Sequence, residues 1–142
     1  MNYSQISQEL VRRFQEDQEL LRQKDWVNLE AICDRNVDWL KKIIAKVGWL
    51  DEQKVGDQGE QAAWLIVQHA SDISFQESCL QFLQQLPETV SRLGYIAYLT
   101  DRILVKKGKP QVYGTQFSYG KPFPITDPEN LDKRRSQMYL DS

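Results

Sequence analysis

The stretch Asp57-Gln58-Gly59-Glu60-Gln61-Ala62-Ala63-Trp64-Leu65-Ile66-Val67-Gln68-His69-Ala70 decides the fold class. It opens with an Asp as cap and a Glu three positions later, the pattern of a capping box. From Ala62 to Val67 it is apolar on every face, and a helix of that kind belongs in a protein interior. Residues 48–57 ahead of it read as a loop. Its polar end, Gln68-His69, finishes a buried element, and His69 is the only histidine in the chain.

Working toward the N-terminus, the spacing extends the helical reading. Ile6, Leu10, Phe14 and Leu21 recur on one face of a helix over roughly residues 4–23. Trp26, Leu29, Ile32, Cys33, Val37, Leu40, Ile43, Ile44 and Val47 keep the same step through a second helix. Gly48 stops it, just after Lys41, Lys42 and Lys46. The two helices form an antiparallel pair joined at Gln23-Lys24-Asp25.

Toward the C-terminus, Ser74-Phe75-Gln76-Glu77 reads as a second capping box, opening a helix that closes near Pro87. A further helix runs from about Ser91 to Lys107, with Gly108 and Pro110 as stop signals. The pattern then changes. Gln111–Phe117 and Lys121–Ile125 are rich in aromatic and β-branched residues, which predicts a β-hairpin. Pro122 and Pro124 are two apart, so both missing N–H groups must face away from the partner strand. Asp127-Pro128-Glu129 starts a short terminal helix to about Tyr139. The expected fold is mainly α: five to six helices in one domain, with a C-terminal β-hairpin.

Length and charge fit this picture. The 142 residues suit one domain. A chain of this size buries about two thirds of the surface it exposes when unfolded, enough to fold without a metal or a disulfide. The net charge is −2, from 18 Lys and Arg against 20 Asp and Glu. Residues 101–142 carry a small basic surplus, too small for a nucleic-acid footprint. Lys106, Lys107 and Lys109 read as a solvated helix end, and Lys133-Arg134-Arg135 reads as solvated too. No stretch is long enough for a membrane span. The N-terminal residues lack an apolar signal core, so a cytoplasmic location is expected. Cys33 and Cys79 read as small buried hydrophobes.

One histidine and two separated cysteines do not make an ordinary zinc site, so no metal and no cofactor is expected. There is no phosphate-binding glycine loop and no nucleophile elbow. What remains is a set of polar residues beside apolar ones. His69 is the candidate catalytic acid or base, with Asp72 or Asp101 to orient it. Equally, a His at a helix C-terminus serves to satisfy backbone carbonyls. Asp101 is the second catalytic candidate. Gln68, Arg102, Tyr113 and Gln116 are candidate ligand contacts, with the Arg102 guanidinium suited to an anion. Gly114 leaves room either for a ligand or for the hairpin to approach a helix. Trp49, in a loop, is expected in the core.

Several of these residues also carry a family resemblance. Gly48-Trp49, Gln58-Gly59-Glu60-Gln61-Ala62-Ala63-Trp64 and Val67-Gln68-His69-Ala70 come first. Phe75-Gln76, Cys79-Leu80, Ala97-Tyr98-Leu99-Thr100-Asp101-Arg102, Tyr113-Gly114-Thr115-Gln116 and Pro124-Ile125 follow in order, with Asp127 and Arg135. Taken together the string resembles a bacterial family of unknown function, domain of unknown function 6624. The resemblance divides the chain into an N-terminal helical pair (1–47), a family-like core (48–135) and a tail (136–142). It implies a bacterial origin and a shared fold, and brings no activity.

Two functions stay open at this point. One is a small metal-independent enzyme or ligand-binding protein with a polar pocket around His69, acting by hydrolysis or group transfer on a small molecule. The other is a non-catalytic module that binds a protein or peptide through hairpin aromatics Tyr113, Phe117, Tyr119 and Phe123. Neither nucleic acid nor membrane is an expected partner.

Overall fold

Helices form where the apolar spacing asks for them. A computed structural model describes residues 1–142, with six helices and a short hairpin. The helices are α1 (Tyr3–Arg22), α2 (Trp26–Val47), α3 (Glu52–Gln68), α4 (Ile73–Gln85), α5 (Val90–Lys106) and α6 (Leu131–Gln137). Strands β1 (Phe117–Ser118) and β2 (Lys121–Pro122) follow α5, and a 3-10 turn, Pro128–Asn130, precedes α6. The chain forms two compact units, Met1–Ser71 and Asp72–Ser142.

In the first unit α1 packs on α2 and α3. Asn2 starts α1 with a full capping box: its side chain accepts from the Gln5 N–H at 2.8 Å, and Gln5 reciprocates at 2.9 Å. Lys24 takes a left-handed conformation in the turn, and Asp25 caps α2. Ile6, Leu10, Leu40, Leu50, Ala63 and Val67 are buried. Trp26, counted into the apolar pattern, instead stands 59% exposed at the first residue of α2.

The start of α3 differs from expectation. The helix begins at Glu52, capped by Asp51, inside the stretch expected to be a loop. Gly56 then kinks it, at φ 76° and ψ 170°. The kink frees the Val55 carbonyl, and the Ser7 hydroxyl of α1 donates to it at 2.8 Å. Glu60 does not close a capping box with Asp57. It is buried, and its carboxylate accepts from the Trp49 indole at 3.1 Å and the Glu52 N–H at 3.1 Å. That bond puts Trp49 in the core. The Lys54 ammonium donates to the Val47 and Trp49 carbonyls, closing the C-terminal end of α2.

In the second unit α4 packs on α5. Asp72 caps α4 by accepting from the Phe75 N–H, two residues before the expected Ser74. Thr89 caps α5. The hairpin is real but far shorter than predicted: β1 and β2 hold two residues each, pairing Phe117 with Pro122 and Ser118 with Lys121. The Phe123 N–H points across to the Gln116 carbonyl, so the two prolines flanking it face the other way. Gln111 makes a single parallel bridge with Ile125, and residues 112–116 form no strand because side chains take most of their N–H groups. The Asp101 carboxylate accepts from the N–H groups of Val112, Tyr113 and Thr115 and from the Thr115 hydroxyl, at 2.8–3.0 Å. The fully buried Gln111 side chain donates to the Gln116 and Phe123 carbonyls and accepts from the Gln116 N–H.

The basic run near the C-terminus is not simply solvated. Arg134 donates to the Val112, Thr126 and Asp127 carbonyls, and Arg135 to those of Tyr113 and Asp141. Both arginines pin the loop held by Asp101 to α6. Asp127 does not cap: its carboxylate accepts from the Asn130 amide instead.

Two stability predictions follow from these contacts. Asp101→Ala strands four part-buried donors and is expected to cost about 3 kcal/mol in urea unfolding. Gly56→Ala adds a methyl into open space but forces it to a positive φ, for about 1–2 kcal/mol. Unchanged midpoints in both variants would contradict this description.

Candidate functional site

His69 is the C-cap residue of α3, with its N–H donating to the Leu65 carbonyl. The residue is exposed, yet its ring reaches a group of ligating atoms within the first unit. A ring nitrogen of His69, a carboxylate oxygen of Asp17 and the Cys33 sulfur all lie within 4.8 Å of one another. Three helices supply them: Asp17 from α1, Cys33 from α2, His69 from the end of α3. The three side chains line a narrow cavity of about 10 Å³ with Phe14, Asn36 and Leu65. That is room for one water.

Asp17 is the unusual member. It follows Leu10 and Phe14 on the apolar face of α1 and is only 5% exposed. A buried carboxylate needs strong partners. Its contacts are long ones: the Cys33 thiol at 3.6 Å and the Gln18 amide at 3.4 Å. Arg13, one turn earlier, is committed to Glu9 at 2.9 Å, to Asn36 at 2.7 Å and to the face of Trp39 at 4.5 Å. Burial pushes the Cys33 thiol up to about 12, with the Asp17 and Asp34 charges adding to the shift. Cys33 is therefore a thiol near neutral pH, not a ready nucleophile.

The other expected site residues have separate places. Gln68 is buried in the last turn of α3. Asp101 holds the 112–115 loop. It is completely buried, and its roughly four acceptor sites are filled by the four donors of the 112–115 loop. Asp72, named as an alternative orienting group, is a helix cap. Tyr113 is half-buried, with its N–H on Asp101 and its carbonyl on Arg135. Burial, then the Asp101 charge, raises its phenol above the usual range. Gln116 donates from its backbone to Gln111 and from its amide to the Thr115 hydroxyl. Tyr113 and Gln116 thus belong to one clasp around Asp101. Gly114 resolves toward packing, since an added Cβ would lie 3.4 Å from Leu131 of α6. Arg102 stands outside that clasp. Burial lowers its pKa, and its buried Nε has no hydrogen-bond partner.

Two members of the cluster, Asp17 and Cys33, were missed in the sequence. Asp17 had a legible signal: a charge where the stripe of α1 demands an apolar residue. Cys33 had none, because a thiol and a small hydrophobe look alike in a helical pattern.

The thiol's protonation is directly measurable. In EDTA at pH 8, iodoacetamide should modify Cys33 about a thousandfold more slowly than an ordinary cysteine. Asp17→Asn should speed Cys33 and leave the buried Cys79 slow, its thiol being held near 12 by burial alone. Mass mapping that finds Cys33 reacting like free cysteine would contradict the assignment.

Neither a curated protein nor a solved structure matches this chain. A family model does, over residues 6–142, which reach across both compact units. The chain belongs to DUF6624, a family of unknown function.

Proposed function

We propose that this protein is a small enzyme or ligand-binding protein whose working site is the cavity beside His69. The carrying observation is that three helices place Asp17, Cys33 and His69 within 4.8 Å around one small cavity. In this reading His69 moves protons, and Asp17 steadies the ring and its charge. Cys33 donates a hydrogen bond as a thiol. The cavity admits a water or the polar end of a substrate, so the bulk of the substrate lies outside it. Hydrolysis or group transfer suits these groups.

Arg102 is the proposed contact for an anionic group in the second unit, supported by its desolvated guanidinium. Gln68, Tyr113 and Gln116 are retained as lesser ligand contacts, with backbone duties of their own. Two free thiols suit a reducing compartment, in keeping with a cytoplasmic setting.

A second reading draws on the hairpin. Phe117 is 59% exposed and Tyr119 fully so, while Tyr113 and Phe123 are half-buried. Such a tip can dock on a protein or peptide. Replacing both tip aromatics with serine separates the readings, because it removes docking and spares the His69 cavity.

His69→Gln tests the principal reading. On a panel of chromogenic esters, phosphoesters and amides, the variant should lose at least about a hundredfold in turnover. Its unfolding midpoint should move far less, because glutamine keeps the C-cap backbone bond and a polar side chain. Unchanged turnover with a large loss of stability would make His69 structural and refute the proposal.

A further inference from the structure

We propose that Asp17, Cys33 and His69 bind a transition-metal dication, with Zn²⁺ the best-fitting class. The inference rests on the reading of this cavity as the working site and names what occupies it. Three observations support it. First, the donors are one carboxylate oxygen, one sulfur and one imidazole nitrogen. That mixture suits a borderline-soft ion and not Mg²⁺ or Ca²⁺, which prefer all-oxygen shells. A single ring nitrogen of His69 is enough, whatever its other nitrogen contacts.

Second, the geometry is close to what such an ion needs. Zinc bonds of about 2.0–2.3 Å in a tetrahedron put ligand atoms roughly 3.3–3.7 Å apart. The three atoms lie within 4.8 Å of one another, so closure takes about an ångström of side-chain movement. Rotation about Asp17, Cys33 and His69 side-chain bonds covers that while their helices stay in place. The cavity they line is the size of a single water, hence also of a small ion.

Third, the buried Asp17 carboxylate has a thiol and an amide as its hydrogen-bond donors, and the adjacent Arg13 is held by Glu9, Asn36 and Trp39. A dication would give this carboxylate a full opposite charge at bonding distance. Binding releases the Cys33 proton to solvent, so the ion, the carboxylate, the thiolate and the neutral imidazole sum to zero charge. Three protein ligands leave the fourth position to water or substrate, as in catalytic rather than structural zinc sites. A water held there takes over the proton transfer otherwise given to His69.

Cobalt is the probe. The full chain, stripped with chelator, is titrated with Co²⁺ and followed by absorption. One equivalent should produce a thiolate-to-cobalt band with tetrahedral visible bands, and Zn²⁺ should remove both. Cys33→Ser should abolish the thiolate band, while Cys79→Ser keeps it. Asp17→Asn and His69→Gln should each weaken Co²⁺ binding at least about tenfold. The ring proton signals of His69, unambiguous because it is the only histidine, should shift on Zn²⁺ addition in the unsubstituted chain. No band at saturating Co²⁺, a band that survives Cys33→Ser, or unshifted His69 signals would each overturn the site. Metal binding without turnover would remove the enzymatic reading and leave the site standing. His69-dependent turnover in a chain that gives no cobalt band would remove the site and leave the enzymatic reading.

Discussion

A carboxylate taken out of water must be met by donors or by a cation, and this chain buries three of them. Each is placed where several segments have to meet, so satisfying it organises what surrounds it. Glu60 draws the Trp49 indole and the start of α3 together. Asp101 gathers four donors and turns residues 111–116 into a fixed loop. Asp17 is the exception. Its donors are a thiol and an amide at long range, and the nearby guanidinium of Arg13 is engaged elsewhere. Two buried acids are thus saturated by strong donors, and the third is held by weaker ones.

The same constraint explains what was legible in the sequence. Helix periodicity reads directly, because it depends on spacing alone, and α1, α2, α4 and α5 lie within a few residues of expectation. Ends governed by side-chain choice read less well. Asp51, Asp57, Asp72 and Ser74 are all plausible caps, and only tertiary packing chose Asp51 and Asp72. The hairpin shortened for a non-local reason. The aromatic and β-branched residues of 111–116 have strand character, but Asp101 on α5 claims the N–H groups of Val112, Tyr113 and Thr115. Arg134 and Arg135 looked solvated because their partners are backbone carbonyls, which leave no mark in composition.

The site was half legible. His69 stood out as a lone histidine ending an apolar helix, and it does cap the end of α3. Asp101 looked catalytic because an acid inside an apolar helix demands a reason, and the reason proved to be the loop. Asp17 met the same test on α1 and escaped notice, although only its environment separates it from Asp101. Cys33 becomes meaningful only once Asp17 is seen beside it. Residue type and spacing therefore located one corner of the cluster, and the packing of α1 on α2 and α3 supplied the rest.

That Asp17, Cys33 and His69 act as one centre is best tested at the metal itself. X-ray absorption at the zinc edge, on the full chain loaded with one equivalent of Zn²⁺, reports the first coordination shell. The account predicts one sulfur at about 2.3 Å with nitrogen or oxygen neighbours at about 2.0–2.2 Å. The sulfur should disappear in Cys33→Ser. A shell of oxygen alone, or one unchanged by that substitution, would contradict it.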